Sequence, residues 1–203
     1  MSPDQIALGC AALAGRHPAF AREVEARGLP PPHGIAPGMG ALLRIILGQQ
    51  VSVASAAACF ARLEAVLDVN DPSDVAAAPD EVFRAAGFSR QKIGHARSLA
   101  DHVASGTLDL TALPRDDDAA VATLTAVKGI GRWTAEIYLL MAEDRADIWP
   151  AGDLAVRIGT ARILSLPDPR PPEPALRMMA EEWRPWRGVV ALMAWHIYLS
   201  GPV

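Results

Sequence analysis

Cysteine is almost missing from this chain: two in 203 residues, Cys10 and Cys59. Two thiolates fall short of the four ligands of an iron–sulfur cluster or an all-cysteine zinc site. Each lies in an apolar stretch, so both read as buried free thiols in a reducing compartment. The five histidines, at 17, 33, 95, 102 and 196, show no metal-ligand spacing. No metal ion is required on this reading, and no cofactor is implied. Long apolar runs are missing too. The longest, residues 188–199, is shorter than the ~20 residues that cross a bilayer. The N-terminus has no basic segment leading into an apolar one. A cytoplasmic chain without membrane contact is the expectation. Lysine is scarce, since 17 of the 19 basic residues are arginine. A basic excess is also absent, because the net charge is −4. That argues mildly against a nucleic-acid partner, but the distribution softens it. Residues 1–127 carry 10 basic and 14 acidic side chains, whereas residues 128–203 carry 9 of each. Affinity for DNA depends on a local footprint, and backbone amides at a helix start reduce the cations it needs.

Apolar residues make up 51% of the chain, enough for a real core. Nearly every segment reads as helix with a clear stop. Helices are expected over 4–15, 17–27, 39–47, 52–67 and from Asp71-Pro72. Others begin at Pro79-Asp80, Ser89 and Asp116, and the last ones cover 153–164, 175–183 and 186–200. Pro30-Pro31-Pro32 with Gly34 forms a linker. No strand and no repeat is evident, so the reading is a compact all-α bundle.

One stretch organises the rest. Val121, Leu124 and Val127 recur at helical spacing before Gly129-Ile130-Gly131. Trp133, Ile137, Leu140 and Met141 recur at helical spacing after it. Two amphipathic helices therefore meet at a tight turn that the glycines permit. Such a hairpin is either a packing element or a phosphate cradle, because the first N–H groups of the second helix point into the turn.

Other residues invite chemistry. Asp153, in Pro150-Ala151-Gly152-Asp153, starts a helix. An isolated Asp there is most simply an N-cap, but a carboxylate so oriented can also activate water or stabilise a cationic sugar. All five tryptophans, at 133, 149, 183, 186 and 195, lie in the C-terminal part. They serve either as core or as an electron-rich pocket for a cationic ring. Gly48-Gln49-Gln50 is a polar tip between two apolar helices. It is either a solvated turn or a probing finger. The acidic run 116–118 is best read as complementing a helix dipole.

Together these features resemble the helix-hairpin-helix/GPD superfamily of DNA base-excision glycosylases, with 3-methyladenine DNA glycosylase II the nearest type. The matching stretches are Ile45–Val53, Ala86–Lys92, Val127–Ala135, Pro150–Asp153 and Arg184–Arg187, in family order. The resemblance implies two helical lobes with a cleft between them, one over about residues 38–140 and the other combining 1–37 with 141–203. It implies a monofunctional glycosylase acting as a monomer on double-stranded DNA with alkylated bases. In that picture Asp153 is the catalytic residue. Trp133, Trp195 and Ile137, with neighbouring Tyr138, form the base pocket. Gly129, Ile130, Gly131, Arg132 and Thr134 contact the DNA backbone, and Gln50 is the wedge that fills the gap left by a flipped base. The carbonyls of Val127 and Ile130 would hold a monovalent cation in members that bind one. Bifunctional relatives carry a lysine where this chain has Trp133, so no strand cleavage is expected. The cysteine cluster and the N-terminal β-rich domain of some members are also missing. The runner-up is a non-enzymatic helix-hairpin-helix module that binds bent or damaged DNA.

Overall fold

Short polar residues placed just ahead of apolar runs start half of the α-helices. In the computed structural model, which describes residues 1–201 apart from the Val53 side chain, all regular structure among the described residues is helical. Val53, the last residue of the Ile45–Val53 stretch, has its side chain outside that description. Ser52, Asp71, Ser89 and Asp116 each accept a backbone N–H from two or three residues on, at 2.7 to 3.3 Å. Each bond satisfies one of the N–H groups a helix leaves unpaired at its start. Ser2 does the same at the first helix, as half of a capping box with Gln5.

The chain forms two compact units. The first comprises Met1–Gly34 and Leu139–Val203. It holds α1 (Pro3–Ala14) and α2 (Pro18–Arg27) from the N-terminal part. The second comprises Ile35–Tyr138. It holds α3 (Met39–Gly48), α4 (Val53–Glu64), α5 (Pro72–Ala77), α6 (Asp80–Ala86), α7 (Arg90–Ala104) and α8 (Asp117–Thr125). The next helix, α9 (Arg132–Met141), carries the chain out of the second unit and back into the first. There follow α10 (Leu154–Leu164), α11 (Glu173–Met179), a turn of 3-10 helix (Ala180–Trp183) and α12 (Arg187–Ser200). The helix expected to reach residue 67 stops at Glu64, and that expected over 175–183 tightens into the 3-10 turn.

In the second unit α3 is nearly all core, with Leu42, Leu43 and Ile46 fully buried. Tyr138 is fully buried as well, and its hydroxyl accepts the Gly38 N–H at 3.2 Å. In the first unit an aromatic cluster fills the centre. Trp183 meets Trp149 edge to face at 5.2 Å and Phe20 at 5.8 Å, the favoured geometry for ring pairs. Ion pairs fasten the start of α12 in this unit. Arg187 grips both carboxylate oxygens of Asp147 at 2.9 and 3.0 Å, and Arg184 adds a bond at 2.7 Å. Glu181 joins both arginines. The Arg184–Arg187 motif thus docks the start of α12 onto the loop before Trp149. Of the two thiols only Cys10 is buried, and burial pushes it up to about 11. Cys59 is half-buried and accepts from Arg62, so the expectation of two buried cysteines holds for one.

Candidate active site

Asp153 is the N-cap of α10, and its Oδ1 accepts the Val156 N–H at 3.0 Å. The turn before it is braced locally, with Asp153 N–H donating to the Pro150 carbonyl at 2.9 Å. A second donor comes from far along the chain. The indole Nε1 of Trp195, on α12, donates to the same Oδ1 at 3.1 Å. The carboxylate is therefore held by its own helix start and by a ring on another helix. Two donors of fixed direction lock its rotamer, as a reacting group needs.

Helix packing explains why Trp195 reaches. Gly159 lies on α10 and Ala194 on α12. A Cβ built on Gly159 would overlap the carbonyl of Ala194. The two backbones touch there, which sets α12 close enough for the residue after Ala194 to meet Asp153. Thr160 is fully buried beside this contact. Sequence reasoning missed Gly159, although a glycine inside a helix, costing about 1 kcal/mol against alanine, was the available signal.

Trp195 was expected in a base pocket. Its polar edge is engaged with Asp153. Beside it, 6.0 Å between ring centres, stands His33 from the proline-rich linker. The Nε2 of His33 is buried without a hydrogen-bond partner. Burial, then the neighbouring His196, lowers its pKa below the ordinary 6.5. His33 carried no signal in the sequence beyond its place in the linker.

The second unit presents the hairpin. Val127 and Ile130 are buried, and the Ile130 N–H closes the turn on the Val127 carbonyl at 3.1 Å. One lone pair of that carbonyl is thereby used, so a cation there would share it with the turn. Gly129 has φ +97°, a left-handed conformation that favours glycine, and an added Cβ would overlap the His95 ring. Gly131 differs. It is exposed, has no such φ, and a Cβ added to it meets nothing within 4 Å. Its carbonyl accepts the Ala135 N–H at 3.0 Å, so it opens α9. The fold does not need Gly131 to be glycine.

The structure narrows what the other hairpin residues can offer. The side chain of Ile130 is core, and Thr134 is 1% exposed with its hydroxyl accepting from Gln49 at 3.0 Å. Both can meet DNA only through backbone. Arg132 is exposed but bonds Glu136 at 2.8 Å and pairs with Asp118 at 3.5 Å. Trp133 is half-buried at the first turn of α9. Ile137 and Tyr138, both expected near a base, are buried, and the Tyr138 hydroxyl accepts the Gly38 N–H. Gln50 is exposed at the tip of its turn, with φ +60°.

The described residues thus form an all-helical chain in which a glycine hairpin opens one helix and a doubly held Asp opens another. The model of the HhH-GPD superfamily base excision DNA repair protein matches residues 43–185, and the chain belongs to that superfamily. It is similar to DNA-3-methyladenine glycosylase 1 of Schizosaccharomyces pombe, 33% identical over 62% of this chain and 58% of the relative. It is also similar to DNA-3-methyladenine glycosylase 2 of Escherichia coli, 32% identical over 76% of this chain and 55% of the relative. The chain thus spans a little over half the length of these curated relatives. Its fold matches the S. pombe 3-methyladenine DNA glycosylase in complex with abasic DNA at a TM-score of 0.84, covering 92% of this chain and 94% of that one at 28% identity.

Proposed function

We propose that the protein is a monofunctional DNA glycosylase that hydrolyses the N-glycosidic bond of alkylated purines in duplex DNA. The observation that carries this is Asp153, held at Oδ1 by the Val156 N–H and the Trp195 indole. The names of the S. pombe and E. coli relatives, 3-methyladenine glycosylases, support the substrate class.

In this reading the enzyme extrudes the damaged nucleotide, and Gln50 fills the gap. Alkylation at N3 or N7 puts positive charge on the purine, which makes it a good leaving group without a general acid. The same charge favours an indole face, the role assigned to Trp133. As the bond breaks, positive charge develops on the sugar. Asp153 stabilises that charge and orients the attacking water. The products are free base and an abasic site. Trp133 stands where lyases of the family have lysine, so no Schiff base forms and the strand stays intact. Gly131 contributes its bareness: the space a side chain would take is open and leaves room for a phosphate at the start of α9. The protein works as a monomer, in the cytoplasm, on double-stranded DNA.

The test is base release from methylated duplex DNA by wild type and Asp153→Asn. Asparagine keeps an oxygen for both donors, so the variant should fold. Release is expected to fall on the order of 10²–10³-fold. Folded wild type that releases no base overturns the enzyme reading. If such a protein still binds an abasic-site analogue, a non-catalytic damage binder takes its place.

A further inference from the structure

The stretch Ala86–Lys92 has no role so far, yet Lys92 makes an unusual pair of contacts. Its Nζ donates to the carbonyls of Leu47 at 2.6 Å and Gln49 at 2.8 Å. Carbonyls at the end of α3 have no partner within their helix, and the helix dipole there favours a cation. The ammonium is half-buried, and burial lowers its pKa below the ordinary 10.5. A turn of this size at the surface needs no such group, since water would serve its carbonyls.

The other side of the same turn is also fastened. Gln49 Nε2 donates to the Thr134 hydroxyl at 3.0 Å and to the Gly129 carbonyl at 3.4 Å. His95, one turn after Lys92 on α7, lies on the same helix face. Its ring fills the space a side chain on Gly129 would take. One face of α7 therefore touches both the polar turn and the glycine hairpin. Between these fastenings projects Gln50, exposed and left-handed at φ +60°.

We infer that Lys92 is a positioning residue: with Gln49 it holds the Gln49–Gln50 turn in register with the Gly129 hairpin, so that Gln50 enters the duplex at a set distance from the backbone grip. The inference rests on the reading of Gln50 as the wedge. Lys92 acts through the two carbonyls and touches neither base nor sugar. Without it the turn loses its inner donor, and Gln50 relaxes from the left-handed conformation that side chains otherwise avoid.

Wild type, Lys92→Met, Gln50→Ala and the double variant test this. Two readouts are needed. One is single-turnover release of base from methylated duplex. The other is fluorescence of 2-aminopurine placed beside a tetrahydrofuran abasic analogue, which reports insertion. Lys92→Met is expected to bind unmodified duplex within about twofold of wild type and to lose roughly tenfold in insertion and release. In the Gln50→Ala background it should add less than about twofold, because both changes remove one device. Losses that multiply, or near-wild-type insertion by Lys92→Met while Gln50→Ala is impaired, overturn the inference. Wild-type insertion by Gln50→Ala instead overturns the wedge reading, and the role of Lys92 with it. Should Lys92→Met fail to fold, Lys92→Arg carries the test. Its guanidinium also donates to carbonyls, so a partial loss with the same non-additivity is expected, and a multiplying loss overturns the inference.

Discussion

At Asp153 a side chain is held by backbone and by a ring. At Gly129 a backbone is held by side chains. The Asp153 carboxylate is fixed by the Val156 amide and by an indole 42 positions away. The hairpin backbone is fixed by the Gln49 amide 80 positions away and by the His95 ring beneath Gly129. The difference follows from what each region offers. Chemistry on a sugar needs a carboxylate with one orientation. The proposed grip on a phosphate chain needs oriented N–H groups and a bare surface, and Gly131 is exposed with open space around it. Asp153 therefore depends on how two helices pack, and the hairpin depends on which side chains fit under it.

The contrast can be broken most severely at Gly159. In Gly159→Ala the new methyl overlaps the Ala194 carbonyl, so α10 and α12 must part. A loss of about 2–3 kcal/mol is expected, read as a fall in urea midpoint, together with loss of base release. Retained stability would show that the close approach is not needed to bring Trp195 to Asp153. Next is Trp195→Phe, which keeps a ring but removes the indole donor. Release is expected to fall about tenfold with duplex affinity unchanged. An unchanged rate would mean that the indole bond does not orient Asp153.

The two glycines sharpen the other side. Gly129→Ala should cost about 1–2 kcal/mol of stability, since its φ is left-handed and His95 occupies the space. Gly131→Ala should leave the melting temperature within about 2 °C and weaken duplex binding about fivefold. Equal effects on stability would erase the distinction between a glycine the fold needs and one the partner needs.

The smallest expected effect is on pH. His33 and His95 both titrate below the ordinary 6.5, His33 through burial and then His196, His95 through burial and then Lys128. The folded protein resists protonating them, while the unfolded chain takes up protons near 6.5. Stability is therefore full above 6.5 and lost as pH falls through that value toward the lowered ones. Asp80, Asp109 and Glu181 are also lowered, but from ordinary values of 3.8 to 4.5, so their loss belongs to a more acidic window. Urea midpoints at pH 7.5 and about 5.5 should differ in wild type, and His33→Gln or His95→Gln should each narrow the gap. A gap left unchanged by both would remove the histidines as its cause.

Much of this was readable in residue order. The caps Ser52, Asp71, Ser89, Asp116 and Asp153 form as the pattern implied, because a cap and the N–H it accepts lie within three residues. The all-helical fold and the hairpin follow from spacing of the same short range. Asp153 could be singled out as an oriented carboxylate for that reason. What tertiary structure alone decided joins residues with no shared period. Trp195 meets Asp153 because α12 approaches α10 closely at Gly159, which brings the indole edge to Oδ1. Tyr138 became core, with its hydroxyl accepting the N–H of Gly38, 100 positions away. Lys92, unremarkable on its helix, became a brace, because folding brought the open carbonyls of α3 within its reach. Local sequence sets which backbone groups are satisfied nearby. Packing between distant segments decides which side chains serve the groups left over.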